Sequence, residues 1–196
     1  MWTWITRLFG GKSAAGPAPA LRNSPSVSTP TYIPAAPRKT YDERRLNTPN
    51  VSERKITPEA VILHHTGGSY NGSVSWCMNP NSQVSYHVII SRDGRRTVLA
   101  DDTARTWHAG KSDWLGRPDL NSWSLGVAWE GDTHTTPLGE DAIQSGLEYL
   151  VPRMKKWNIP LTRVLTHAEV APGRKNDVST AAAETFEARL WQALKN

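Results

Sequence analysis

The sequence is poor in thiols, in long apolar runs, and in acidic residues at its front. Cys77 is the single cysteine among 196 residues, which excludes an intramolecular disulfide framework and any multi-thiolate zinc site. No apolar run approaches the roughly 20 residues a transmembrane helix needs. Residues 1–41 hold no Asp or Glu, yet carry Arg7, Lys12, Arg22, Arg38 and Lys39. Removing those five from the 23 bases leaves 18, matched by the 18 acids that all lie from residue 42 onward. The whole net charge of +5 therefore sits on the front extension. A nucleic-acid-binding domain puts its basic excess on the folded part, so that class is disfavoured. Hydrophobic residues make up 38%, low for a compact domain, so part of the chain is expected to stay out of any core.

That part is legible. Six of the fourteen prolines fall within residues 13–37, among Ala, Ser and Thr. Such a stretch cannot build a packed helix or sheet, and residues 13–40 read as a basic linker. Before it, residues 1–12 include Trp2, Trp4, Ile5, Leu8 and Phe9, which can share one side of a short helix. A weak contact with a membrane, the cell wall or a partner is one reading. A frayed, disordered end is the other, because so short a helix is marginal in water. Arg7 interrupts the apolar start and no basic region precedes it, so it makes a poor secretory signal, and synthesis in the cytoplasm is expected.

The folded domain is expected over 41–196. Ala60–His64 reads as a buried strand between Pro58 and the Gly67–Gly68 turn. Val84–Ser91 reads as a second strand, Arg92–Arg95 as a hairpin turn, and Arg96–Ala100 as the return strand. Leu125–Trp129 and Leu161–Leu165 are further strands. Helical spacing of Ile143, Leu147, Leu150, Val151 and Met154 predicts a helix over Glu140–Trp157, and Ala181–Leu194 a closing helix. Strands first and helices late give an α/β domain with a mixed central β-sheet flanked by helices.

Chemistry concentrates at three places. His64–His65–Thr66 ends a buried strand, His167 ends another, and Arg174–Lys175–Asn176–Asp177 lies in a loop shortly after it. Adjacent residues on a strand point to opposite faces, so one of the His64–His65 pair faces any given site. Two imidazoles and a carboxylate are a standard ligand set for catalytic zinc, with a position left for water. On residue types alone a structural histidine pair is the commoner reading in a chain with six histidines.

The motifs run in a telling order. His64–His65–Thr66 is followed by Ser85–Tyr86–His87, Arg92–Asp93–Gly94, Trp107–His108–Ala109–Gly110, and Asn121 through Ser124–Leu125–Gly126. His167, then Val170–Ala171–Pro172–Gly173–Arg174–Lys175 and Asp177, complete the series. This series resembles the type 2 N-acetylmuramoyl-L-alanine amidases, whose fold is shared with peptidoglycan recognition proteins and phage endolysins. The resemblance covers about residues 58–195 and marks 41–196 as a zinc amidase domain.

The resemblance implies one zinc ion per chain, held by His64, His167 and Asp177, with His65 in a variable neighbouring slot. Cys77 is then an ordinary buried thiol on the helix after the glycine turn. One departure matters: the position where many members carry a catalytic Glu is Ala128. Tyr86 and Lys175 therefore become the expected polar catalytic pair, as in the phage-lysozyme-like branch, with Glu130 in reserve. Arg174 is expected to meet an acidic group of the substrate, and Trp107, His108, Trp114 and Asn121 to line the groove. The implied function is hydrolysis of the amide between the lactyl group of N-acetylmuramic acid and L-alanine, by a monomer acting on peptidoglycan or muropeptides. The alternative is a non-catalytic muropeptide-binding module of the same fold.

Overall fold

In the computed structural model, residues 40–195 are described. The expected segment 1–12, and all but the last residue of the linker 13–40, lie outside them. The strands are β1 (Glu43–Arg45), β2 (Val51–Lys55), β3 (Ala60–His65), β4 (Val88–Ile90), β5 (Arg96–Val98), β6 (Ala104–Thr106), β7 (Asp113–Trp114), β8 (Arg117–Pro118), β9 (Ser124–Trp129) and β10 (Val164–Thr166). The helices are α1 (Tyr70–Met78), α2 (Glu140–Trp157), α3 (His167–Val170) and α4 (Thr180–Lys195). Among the described residues, no helix is long and apolar enough to cross a membrane.

Six strands form one mixed sheet in the order β1-β5-β4-β9-β3-β10. The β4–β5 hairpin is antiparallel, and every other neighbouring pair is parallel. Parallel central strands are covered on both faces, which explains the nearly unbroken apolar runs of β3 and β9. Side chains alternate across the sheet. Val61, Leu63, Val88, Leu125, Val127 and Trp129 pack with residues of α2 and α4 in the larger core. There Trp129 meets Phe186 edge-on, their centroids 4.7 Å apart. The opposite face carries Ala60, Ile62 and Leu165, packed with Ala109, Leu120, Trp123 and Val170. Ile89 and Ala128 meet α1 through Tyr70, Val74 and the buried Cys77.

Several expected boundaries shift for physical reasons. The strand expected over Val84–Ser91 narrows to β4: Ser85 is held by other segments, its hydroxyl donating to Asn50 O and accepting Trp107 N–H, while His87 N–H still reaches Gly126 O of β9 at 2.9 Å. The return strand stops at Val98, short of Ala100. Leu161–Arg163 forms one turn of 3₁₀ helix, and only Val164–Thr166 continues as strand.

Candidate metal centre

β3 delivers His64 to the face shared by Ala60 and Ile62, where its ring is fully buried. Neighbouring β10 ends level with it and gives way at once to α3. Thr166 caps that helix reciprocally with Glu169: the Thr166 hydroxyl accepts Glu169 N–H at 3.2 Å, and the Glu169 carboxylate accepts Thr166 N–H at 2.7 Å. The capping box fixes the abrupt strand-to-helix turn that brings His167 against His64. Asp177 returns from the following loop, its carbonyl accepting Ala168 N–H at 2.8 Å.

Three ligand atoms converge. His64 Nδ1 lies 3.0 Å from His167 Nδ1 and 3.0 Å from Asp177 Oδ2, and His167 Nδ1 lies 3.1 Å from the same oxygen. Two ligands of one tetrahedral zinc ion, at bonds of 2.0–2.1 Å, stand about 3.3 Å apart, so the trio fits that ion with little adjustment. Burial, the dominant influence, pushes His64 down to about 4, which keeps the imidazole neutral as a ligand must be. Burial also works against the charge on Asp177, but hydrogen bonds to His167 and His64 outweigh it and hold the carboxyl well below the usual range. The donors are thus the neutral His64 imidazole, the His167 imidazole and a carboxylate.

The outer nitrogens are anchored as well. His64 Nε2 is 3.1 Å from His108 Nδ1, and His108 Nε2 is 3.4 Å from the Ser124 hydroxyl, which donates to Leu120 O. Read as a chain of donors, this sets His64 as the Nε2–H tautomer with Nδ1 facing the metal position. His167 Nε2 lies 3.1 Å from Ala109 O and fixes the second ring in the same sense. Gly126 makes room for the chain: a Cβ there would come within 2.5 Å of the His108 ring. Asn121 supports it from below, its Oδ1 accepting His108 N–H at 3.1 Å and Ala109 N–H at 2.7 Å.

The trio opens into a cleft of about 490 Å³ lined by Tyr86, Trp107, His108, His167, Arg174 and Lys175, among others. The Tyr86 ring tilts against His64 with centroids 5.1 Å apart. Lys175 is exposed, and its ammonium has no hydrogen bond or ion pair among the described residues. Arg174 donates to the carbonyl oxygens of Ala109 and Lys111, which hold its guanidinium at the rim without neutralising it. Trp114 and Asn121 stand outside the cleft: Trp114 packs on the core beside Trp123, and Asn121 is buried under the 107–110 loop. Glu130 is engaged elsewhere, its two carboxylate oxygens accepting Tyr70 N–H and Arg92 N–H at 3.1 and 3.0 Å. The His108–Ser124 chain was not foreseen as a support, although both residues lie in motifs visible in the sequence.

Comparison with known proteins identifies the family and the fold. Over 83 residues the chain is 35% identical to N-acetylmuramoyl-L-alanine amidase A of Achromobacter lyticus, covering 42% of each protein. Over 96 residues it is 33% identical to the 1,6-anhydro-N-acetylmuramyl-L-alanine amidase AmpD of Haemophilus influenzae, covering 48% of this chain and 52% of that one. The matched stretch thus spans about half the length of these relatives. The crystal structure of a selenomethionine AmpD derivative superposes with a TM-score of 0.65 at 22% identity, over 78% of this chain and 96% of that one, and so shares the fold. The sequence profile of the N-acetylmuramoyl-L-alanine amidase family matches residues 54–180, a span that holds every member of the ligand trio, and the chain belongs to that family.

Proposed function

We propose that the protein is a zinc-dependent N-acetylmuramoyl-L-alanine amidase that hydrolyses the amide joining the lactyl group of muramic acid to L-alanine. The observation that carries this reading is the convergence of His64 Nδ1, His167 Nδ1 and Asp177 Oδ2 within 3.1 Å of one another at the floor of an open cleft. A relative that acts on 1,6-anhydro-N-acetylmuramyl-L-alanine supports the substrate class.

Zinc, when bound, supplies a Lewis acid that makes water nucleophilic near neutral pH and polarises an amide carbonyl. His64, His167 and Asp177 would hold it, and the rest follows from the chain's own groups. Lys175 offers unshared ammonium donors on the cleft wall, where the amide oxygen gains charge as the carbonyl becomes tetrahedral. The Tyr86 hydroxyl offers a second, neutral donor; burial raises its pKa, so it keeps its proton at the pH of reaction. Arg174 presents a fixed positive charge at the rim for a carboxylate of the stem peptide or muramic acid.

The alternative, a muropeptide-binding module without turnover, draws support from Ala128, which removes the carboxylate common in the family. It draws none from the ligands, all three of which are present. Incubation with a soluble muropeptide separates the two readings. New amino groups on L-alanine, abolished by a chelator and restored by zinc, support the amidase; tight binding with no release supports the module.

A further inference from the structure

Among the described residues, a second group of metal-ligating side chains stands apart from the trio: His65, Asp132 and His134 each offer one ligand atom, all within 4.8 Å of one another. His65 follows His64 on β3 and points to the other face, as strand alternation requires. Asp132 and His134 come from the loop after β9, which follows Gly131. His65 Nε2 lies 3.7 Å from Asp132 Oδ1, and the two imidazole rings meet edge-on with centroids 5.7 Å apart.

The surrounding bonds hold these donors in place. His65 Nδ1 is 3.0 Å from the Thr133 hydroxyl, and His134 Nε2 is 2.9 Å from Asn176 O. His134 Nε2–H donates to Asn176 O, which leaves Nδ1 as its ligand, whereas His65 Nδ1 also accepts Thr133 N–H at 3.3 Å, so His65 takes an ion on Nε2 once its ring proton moves to Nδ1, where the Thr133 hydroxyl can accept it. Asp132 Oδ1 accepts His134 N–H at 2.8 Å, so the carboxylate and the second histidine are fixed to one another.

We propose that His65, Asp132 and His134 form a second, weaker site for a borderline divalent cation of the zinc, nickel or copper(II) class. Two imidazoles with one carboxylate select such ions over calcium and magnesium, which take oxygen ligands. The site is weaker because its donors are partly exposed, with His65 Nε2 and Asp132 Oδ1 standing 3.7 Å apart against 3.0–3.1 Å in the trio, and must draw together around an ion. Its mixed exposure leaves the remaining coordination positions to water.

Occupancy has a structural consequence for the first centre. The Thr133 hydroxyl accepts Ser179 N–H at 2.8 Å, the Ser179 hydroxyl donates to Thr133 O at 2.8 Å, and His134 holds Asn176 O. Asp177 lies between those two anchor points. An ion on His65, Asp132 and His134 would pin the 132–134 loop to the end of β3, and through it brace the segment that carries Asp177. The second site requires only the donors named, and it stands whether or not the protein is an amidase.

Equilibrium dialysis of the full chain against zinc, from sub-micromolar to millimolar, with metal analysis of the protein, tests the proposal. The parent should take up zinc in two steps, and the second step should raise its melting temperature. Asp132→Asn keeps an acceptor for His134 N–H but removes the charge; it should retain the first step and lose or weaken the second at least tenfold. His134→Ala should do the same, while His64→Ala should lose the first step and keep the second. A parent with a single step throughout the range overturns the proposal. So does a second step that persists unchanged in both Asp132→Asn and His134→Ala.

Discussion

His64 and Ala128 are register partners across β3 and β9, so the methyl group of Ala128 stands beside the buried imidazole, at the position where the sequence resemblance leads us to expect a carboxylate. No carboxylate from β9 therefore flanks the metal centre there, and the Tyr86 ring, 5.1 Å from the same imidazole, stands beside it. Tyr86→Phe is expected to keep its zinc and its melting temperature while turnover falls on the order of 100-fold, the effect of losing one oxyanion donor. Glu130→Gln is expected to lower the melting temperature, since it disturbs acceptors of two backbone N–H groups, and to leave the rate per folded molecule within a few-fold. Initial rates and thermal melts of the two variants check both statements. Normal turnover in Tyr86→Phe with a dead Glu130→Gln would reverse the assignment.

The second prediction concerns support rather than chemistry. His108 accepts the outer proton of His64, and metal ligands that lose such a partner bind their ion about 10- to 100-fold less tightly. His108→Ala should show that loss in a zinc competition titration. Gly126→Ala should approach it by a different route, because the new Cβ would crowd the His108 ring at 2.5 Å. If both variants hold zinc like the parent, the His64–His108–Ser124 chain does not position the ligand.

A third prediction follows from His87. Its Nδ1 accepts Gly126 N–H at 3.0 Å and its Nε2 faces Ala104 O at 3.0 Å, and burial lowers its pKa from 6.5 to about 4. The unfolded chain takes up a proton between those values that the folded protein refuses. The stabilisation is therefore complete above about pH 6.5 and is lost as pH falls toward 4, a change of about 3 kcal/mol. Urea unfolding of chelator-treated protein should show the parent losing more stability than His87→Gln over that interval. Parallel pH profiles for the two proteins would contradict it.

Much of this architecture is legible in the sequence wherever one physical signal dominates. Helix α2 matches its expected span of Glu140–Trp157, because its apolar residues recur with helical spacing and Pro160 lies beyond. Strands β3 and β9 match within a residue at each end, since buried parallel strands read as short branched runs. The trio His64, His167 and Asp177 is named by motif order and brought together by the fold. What stays illegible depends on long-range bonding. Glu130 reads as a free carboxylate in sequence, yet two backbone N–H groups from distant segments claim it. Asn121 and Trp114 belong to the right loops but point into packing contacts. The group of His65, Asp132 and His134 forms only because the end of β3 lies beside the loop after β9.

The account stands most directly on the loop after α3, where Asp177 is assigned to the metal and Lys175 to the substrate. Zinc content and initial rate of L-alanine amide cleavage, measured together on Asp177→Ala and Lys175→Ala, test that division. Asp177→Ala should lose metal and activity in parallel, with partial recovery in excess zinc through mass action. Lys175→Ala should hold zinc in the first centre as tightly as the parent while turnover falls about 100-fold or more, without rescue by added zinc. Tight zinc in Asp177→Ala, or active protein without any metal, would contradict the central claim that His64, His167 and Asp177 form a catalytic zinc centre.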